Sequence, residues 1–310
     1  MKDFYTPQGK ISVLYKHMTK QTHVLIAGTT GSGKSVVTRG VLNSLLYRPF
    51  CDVPGSAEMI LIDPKGTELV TFSKAPHCIR YATAAQSGDM IGALRLASAL
   101  VDRRFSAMQN DLSLMDEKHY YKGSDIWVVI DELADLMLSA DSAEVKRLIQ
   151  HIGQIGRAAR VHLLCCTQCP LVKVIPTEIK VNFDAILALR TRSAQDSRNI
   201  IGCKGAELFP KVGKGMYQNP DTTNIVTVDL LYVDDTETER LVNHWLKQIP
   251  SAFCEKHDSL VRRENSQNAE ISPSAISGNE EYTTIKIRPV SWFKFATIGL
   301  LLVDVIARVF

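Results

Sequence analysis

One glycine-rich stretch near the amino terminus has the residue types and the spacing to bind a polyphosphate. It fits the pattern G-x-x-x-x-G-K-[ST], with an apolar run before it and a helix-compatible segment after it. Glycines let the backbone turn its N–H groups inward, and the following helix directs its positive end at the anion. We therefore predict a nucleoside triphosphate site, with ATP contacts from Gly28, Thr29, Thr30, Gly31, Ser32, Gly33, Lys34, Ser35 and Val36.

A second stretch, residues 126–132, is an apolar run that ends in two carboxylates, which is a Walker B signature. Asp131 is predicted to hold Mg²⁺ through the water shell of the metal, together with the hydroxyl of Ser35. Glu132 lies one residue beyond the strand end and is placed to polarise an attacking water. Lys34 is expected to reach the β- and γ-phosphates. Together these residues predict ATP hydrolysis.

A polar residue follows a third apolar run, residues 161–166. Gln168 lies at a strand end that is expected to be near the phosphates, which is typical of a sensor of the γ-phosphate. A turn or capping residue is the alternative interpretation at this position.

Regular secondary structure must position these motifs. Strands are predicted at residues 24–27, 59–63, 126–130, 161–166 and 185–189, with a late edge strand or hairpin at 224–233. Helices are predicted from the phosphate loop to about residue 47 and at residues 92–108, 143–159 and 236–246. The alternation of strand, loop and helix predicts an α/β fold: a P-loop NTPase with a mostly parallel sheet and helices on both faces.

Length and composition limit the organisation and the compartment. The 310 residues can bury a full α/β core, and the formal charge of +3 is weak evidence for a polyanionic partner. Seven cysteines without disulfide-like spacing fit a reducing cytoplasm, and no signal-peptide core is present at the amino terminus. We expect an amino-terminal lead-in, an ATPase domain, a flexible polar linker and a hydrophobic carboxyl-terminal helix, at residues 1–22, 23–250, 251–283 and 284–310.

The hydrophobic carboxyl-terminal segment leaves two alternatives open. A membrane-spanning helix needs ~20 apolar residues, and residues 291–310 come close, but Lys294 and Asp304 interrupt the run. The segment is either a helix that packs on the ATPase domain or on a protein partner, or a tail that associates with a membrane. The protein is expected to be cytoplasmic, and peripheral or anchored at the membrane in the second case.

Six motifs, in this order and at this spacing, resemble the motor domain of FtsK/SpoIIIE-type DNA translocases over roughly residues 20–248. The resemblance implies a RecA-like core that assembles as a ring, usually a hexamer, and pumps double-stranded DNA through its pore using ATP. The motifs lie at residues 27–35, 62–65, 129–137, 157–159, 167–168 and 196–198.

The resemblance also implies roles for three cationic residues. Arg157 resembles the arginine that reaches into the ATP site of the neighbouring subunit, and a surface arginine at a helix end is the alternative. Lys180 and Arg198 resemble pore-side residues that touch the DNA backbone, and solvated charges are the alternative. One position departs from the family pattern: Cys169 stands where an arginine is common, so one expected phosphate contact is missing.

The function expected from the motifs is DNA translocation, in chromosome segregation or in conjugative transfer of a mobile element. We find no winged-helix module that would read DNA orientation, so the DNA contacts should be mostly to phosphates and sensitive to salt. The alternative is a nucleotide-switched protein that binds DNA or a partner without motor activity. Glu132 speaks against a pure switch, which has no need of a second carboxylate beside the attacking water.

Overall fold

The structure, a computed structural model, describes residues 4–6, 9–11, 13–50, 52–85, 88–169, 171, 174–218, 220 and 224–248. All of them belong to one compact unit within residues 1–262. The predicted linker at 251–283 and the predicted hydrophobic helix at 284–310 lie outside the described residues.

An eight-stranded sheet runs through the middle of the fold in the order β10-β9-β8-β3-β7-β6-β4-β5. The six strands from β8 to β5 are parallel, and β9 and β10 complete one edge in antiparallel orientation. A separate antiparallel pair is formed by β1 (Phe4–Thr6) and β2 (Gly9–Ile11). The strands of the large sheet are β3 (His23–Ala27), β4 (Ala57–Asp63), β5 (Cys78–Thr83), β6 (Asp125–Ile130), β7 (Val161–Thr167), β8 (Ala185–Ala188), β9 (Lys214–Gln218) and β10 (Ile225–Asp229).

Eight α-helices are found among the described residues, with short 3₁₀ turns at Phe72–Lys74, Leu112–Leu114 and Ala206–Leu208. They are α1 (Val13–Met18), α2 (Lys34–Leu46), α3 (Asp89–Asn110), α4 (Leu133–Met137), α5 (Ser142–Ala159), α6 (Thr177–Lys180), α7 (Ala194–Ile201) and α8 (Asp235–Gln248).

The helices bury the two faces of the sheet in two separate cores. Leu25 and Ala27 of β3 lie in one core with apolar residues of α3, α4, α5, α6 and α7. Val24 and Ile26 point to the other face and pack with residues of α1, α2 and α8. A strand covered on both faces has no solvated side, which explains why β3 reads as an unbroken apolar run.

The predicted α/β class, with its mostly parallel sheet between two helix layers, is confirmed. The apolar runs at 24–27, 59–63, 126–130 and 161–166 all form strands, within two residues of the predicted bounds. Sequence reasoning missed β5, because this edge strand contains Arg80 and alternates in burial, and β9, whose glycines suggested a loop. It also missed the short helices α1, α4, α6 and α7.

No helix in the part of the chain that the structure describes combines the length and the apolar character needed to span a bilayer.

Candidate nucleotide-binding site

The strand order brings three motifs to one edge of the sheet. β7 lies between β3 and β6, and all three strands are parallel, so their carboxyl ends meet at the same edge. Neighbouring strands are about 4.8 Å apart, which places β3 and β6 roughly 10 Å from each other. The phosphate loop follows β3, Gln168 follows β7, and the two acidic residues follow β6. The residues predicted to act on ATP are therefore brought together.

The phosphate loop is shaped by glycines that no other residue could replace without strain. Gly33 has a φ of 95°, a left-handed conformation that side chains rarely adopt, and α2 begins at the next residue. At Gly28 an added Cβ would lie 2.6 Å from Leu189 Cβ and 2.7 Å from Ser32 Oγ. The loop is thus packed tightly against the end of β8, and Thr29 N donates a hydrogen bond of 2.9 Å to the carbonyl oxygen of Arg190.

A buried hydroxyl inside this loop fits a bound anion. Ser32 is 1% exposed, and its Oγ has no hydrogen-bond partner within the described part of the chain. A buried polar group without a partner is costly unless a ligand satisfies it. The loop therefore has the shape and the free donor that a phosphate group requires.

Lys34 bridges the phosphate loop and the end of β6. Its Nζ donates to the carbonyl oxygen of Asp131 at 2.6 Å and to Oδ1 of the same residue at 3.0 Å, and both side chains are buried. Burial raises the pKa of Asp131, and the charges of Glu68 and Asp63 raise it further, while Lys34 opposes the shift. Lys34, which was predicted to bind the phosphates, is thus in direct contact with Asp131, which was predicted to hold the metal.

Glu132 is held by the end of β7. Its Oε1 accepts a hydrogen bond of 2.7 Å from Thr167 Oγ1, and both carboxylate oxygens accept from the backbone N–H of Gln168, at 3.1 and 3.0 Å. The same side chain caps α4 by accepting from Ala134 N. Glu132 is 5% exposed, so its carboxylate has a defined position beside the phosphate loop.

Gln168 connects this carboxylate to the phosphate loop. Its side-chain Oε1 accepts a hydrogen bond of 2.6 Å from Thr30 Oγ1, while its backbone N–H donates to Glu132. A chain of hydrogen bonds therefore runs from Thr30 through Gln168 to Glu132 and Thr167. From the sequence, Thr167 was predicted only as part of the motif at residues 167–168, and no role of its own was assigned to it, although a threonine that ends a buried strand between two motifs was a usable signal.

The donor set predicted for Mg²⁺ has suitable chemistry. Mg²⁺ prefers hard oxygen ligands and keeps several waters. The hydroxyl of Ser35 lies in the first turn of α2, next to Lys34, and makes no hydrogen bond with any other described residue. The carboxylate of Asp131 is buried at the same edge. These two oxygen donors fit the metal.

Arg157 lies at the opposite edge of the sheet. It is exposed in the last turn of α5, with its guanidinium 5.8 Å from the ring centroid of Tyr120. The carbonyl oxygen of Arg160, three residues on, accepts from Ile126 N at the start of β6. The length of β6, about 20 Å at ~3.3 Å per residue, separates this edge from Asp131. Arg157 is therefore out of reach of the phosphate loop of its own chain.

The two predicted DNA contacts lie together on α6 and α7. Lys180 Nζ donates a hydrogen bond of 2.9 Å to the carbonyl oxygen of Asn199, and burial lowers the pKa of this half-buried lysine. Arg198, the residue before Asn199, is exposed. Their contact with DNA stays a prediction. Cys169, the departure from the family pattern, is half-buried beside the site, and its N–H donates to Thr167 Oγ1.

Comparison with known proteins gives one matching family. Residues 7–124 and 112–172 match the profile of the FtsK/SpoIIIE family, which together is just over half of the chain. DNA translocase SftA of Bacillus subtilis (strain 168) is 35% identical over 260 residues, covering 79% of this chain and 26% of the relative. DNA translocase FtsK of Lactiplantibacillus plantarum is 31% identical over 298 residues, covering 92% and 36%. The chain thus spans well under half the length of these curated relatives.

Solved structures with the same fold include a coupling protein and a secretion ATPase. The pCW3 conjugation coupling protein TcpA, in monomer form with ATPγS, aligns with a TM-score of 0.62 at 23% identity, covering 79% of this chain and 69% of that chain. The cytoplasmic domain of the Thermomonospora curvata type VII secretion ATPase EccC aligns with a TM-score of 0.59 at 20% identity, covering 72% and 28%. At these identities the likeness concerns the fold.

Proposed function

The chain belongs to the FtsK/SpoIIIE family, and from that premise we propose that it is an ATP-driven translocase of double-stranded DNA. The observation that supports this most directly is that Lys34, Asp131 and Glu132 lie together at the phosphate loop. These three residues supply the groups needed to hydrolyse ATP. The curated relatives are DNA translocases, whereas the solved structures share only the fold.

Each residue of the site has a role in hydrolysis under this proposal. The backbone N–H groups of the phosphate loop and the positive end of α2 bind the phosphates. Lys34 exchanges a hydrogen bond to Asp131 for one to the β- and γ-phosphates. Mg²⁺, held by Ser35 and through its water shell by Asp131, would offset the charge of those phosphates.

The hydrogen bonds around Glu132 support its role as the residue that polarises water. Thr167 and the backbone of Gln168 fix the carboxylate, and Oε2 keeps capacity to accept a hydrogen bond from an attacking water. The side chain of Gln168 contacts Thr30 of the phosphate loop, which suits a sensor of the γ-phosphate. Hydrolysis would change the contacts of Gln168 and, through its backbone, those of Glu132.

We further propose that the chain assembles as a homo-oligomeric ring, a hexamer, with ATP bound between subunits. Arg157 is exposed at the sheet edge opposite its own phosphate loop, so it is available to a neighbouring subunit and not to its own site. In the ATP site of the neighbouring subunit, the fixed positive charge of Arg157 would offset the negative charge that spreads over the transferring phosphoryl group. Lys180 and Arg198 would contact the DNA backbone.

The biological context belongs to the same proposal. The chain would act in the cytoplasm, in chromosome segregation or in conjugative transfer, with residues 23–250 as the motor domain and residues 1–22 as its lead-in. Residues 284–310, beyond a polar linker at 251–283, would attach the motor to a protein partner or to a membrane. A nucleotide-switched regulator without motor activity is the alternative that the following experiment separates.

The first test is steady-state ATP hydrolysis with and without long duplex DNA. A translocase should be stimulated many-fold by the duplex, and Lys34→Ala and Glu132→Gln should each abolish nearly all of the activity. A switch protein would show neither effect. Equal rates with and without duplex would refute the proposal.

The second test asks whether Arg157 acts in the neighbouring subunit. Glu132→Gln and Arg157→Ala are each purified and then mixed. A mixed ring contains sites that combine an intact Glu132 from one subunit with an intact Arg157 from the next, so activity should reappear. If Arg157 acted within its own chain, mixing would restore nothing, and if it were only a surface residue, Arg157→Ala would be active by itself. Arg147→Ala, an exposed arginine of the same helix, is the matched control and should keep full activity.

A further inference from the structure

A loop that the sequence did not connect with ATP lies directly against the phosphate loop. A Cβ added to Gly31 would lie 2.9 Å from Cε and 3.4 Å from Nζ of Lys211. A Cβ added to Gly33 would lie 3.9 Å from Cγ1 of Val212. Residues 211 and 212, which precede β9, therefore border the middle and the end of the phosphate loop.

The sheet register explains this position. β9 is antiparallel to β8, and β8 is parallel to β3, so the start of β9 lies at the sheet edge where β3 ends. The register pairs Ala27 with Ala188, and Ala188 with Met216. The loop is held at its end as well, because Leu230 N donates a hydrogen bond of 2.9 Å to the carbonyl oxygen of Gly213. The proximity of Lys211 to Gly31 thus follows from strand pairing.

The charge of Lys211 is available for a ligand. Its side chain is exposed, and its Nζ has no hydrogen bond or ion pair with another described residue. Lys214, three residues later, pairs instead with Asp229 at 2.6 Å. A lysine beside the positive end of α2 is repelled by that helix end, and an anion that both contact removes the repulsion.

We propose that Lys211 is a further nucleotide-binding residue, which donates from Nζ to a phosphate oxygen of the nucleotide in the phosphate loop of its own subunit. This inference rests on the nucleotide binding of the proposed function but not on motor activity. Val212 would cover the same loop and reduce the access of water. Charge-assisted hydrogen bonds of this kind are the stronger ones in proteins.

The test is direct binding of ATPγS to the full chain without DNA. Lys211→Ala should weaken binding about tenfold, since one hydrogen bond to a charged group is lost. Lys211→Arg, which keeps a cation at the position, should stay within about threefold of the wild type. Lys204→Ala is the matched control, because Lys204 is an exposed lysine between α7 and β9, and it should bind as the wild type does. The thermal midpoints of all four proteins should agree.

Two outcomes would overturn the inference. One is wild-type affinity for ATPγS in Lys211→Ala. The other is equal weakening in Lys211→Ala and Lys211→Arg, because the positive charge at the position would then make no difference to binding. The experiment also separates this inference from the proposed function. If the wild type binds ATPγS but duplex DNA does not stimulate hydrolysis, the motor proposal fails and the comparison of the Lys211 variants stands. If the wild type does not bind ATPγS, both proposals fail.

Discussion

Replacing Thr167 by valine tests whether β7 positions the carboxylate of Glu132. Thr167 is fully buried, and its Oγ1 donates at 2.7 Å to Glu132 Oε1. Valine has nearly the same shape, so the substitution removes the hydroxyl and little else. A hydrogen bond to a charged acceptor contributes about 1.5–3 kcal/mol, and we expect Thr167→Val to lower the free energy of unfolding by about 2 kcal/mol.

The kinetic effect should fall on the turnover number. Glu132 keeps its two contacts with Gln168 N, so its carboxylate is loosened and not lost. A displacement of about 1 Å in a reacting group can cost roughly a hundredfold in rate, and we expect kcat to fall about 10- to 100-fold. KM for ATP should change little, because Glu132 acts on the water and not on nucleotide binding.

The matched control is Thr238→Val. Thr238, on α8, is 1% exposed, and its Oγ1 donates a hydrogen bond of 3.0 Å to Oδ1 of Asn43 on α2. This hydrogen bond lies in the core, away from the nucleotide site. This variant should lose about 1 kcal/mol of stability and keep its kcat. The assay is ATP turnover in the presence of duplex DNA, at a temperature where both variants are folded. A kcat within twofold of wild type in Thr167→Val, or an equal fall in both variants, would refute the reasoning.

Three further predictions concern the stability of the fold and of the loop. Gly28→Ala should abolish ATPγS binding, because the added Cβ would lie 2.6 Å from Leu189 Cβ and displace the phosphate loop. The control is Gly92→Ala on α3, where an added Cβ meets open space. This variant should raise the free energy of unfolding by about 0.5–1 kcal/mol. Arg104→Ala should lower that free energy by about 3 kcal/mol in denaturant titrations, since the buried guanidinium donates to several oxygens, and the exposed neighbour Arg103→Ala should have almost no effect. Burial lowers the pKa of His23 to about 3, so below pH 6.5 the unfolded chain binds a proton that the folded chain does not. This difference at His23 lowers stability by about 1.4 kcal/mol for each pH unit between pH 6.5 and pH 3, and buried His77, whose pKa burial lowers to about 4, adds an effect of the same sign. In denaturant titrations, His23→Asn should therefore reduce the slope of stability against pH in this range by about 1.4 kcal/mol per pH unit.

Much of the fold was predictable where burial is continuous along the chain. The strands β3, β4, β6 and β7 are apolar runs because helices cover both faces of the sheet, and the membership in the FtsK/SpoIIIE family expected from the motifs is confirmed. The two missed strands have a common cause. β5 and β9 lie towards the edges of the sheet, where polar residues and glycines are tolerated and the apolar signal is weak.

The division of the chain into segments stays a prediction. The boundaries at residues 22 and 250 and the character of residues 251–310 were inferred from composition. Residues 251–310 lie outside the described residues. The roles of Arg157, Lys180 and Arg198 likewise stay proposals, and the position of Arg157 excludes only a contact with the phosphate loop of its own subunit.

The sequence by itself determined the phosphate loop, because its glycines, Lys34 and Ser35 are neighbours along the chain and their conformations are local. Only the tertiary structure decided what surrounds that loop. The order β3-β7-β6 brings Asp131 to Lys34 across 97 residues, joins Thr167 to Glu132, and leaves Arg157 at the opposite edge. Strand order depends on hydrogen bonding and packing between segments distant in sequence, and no local pattern of residues records it.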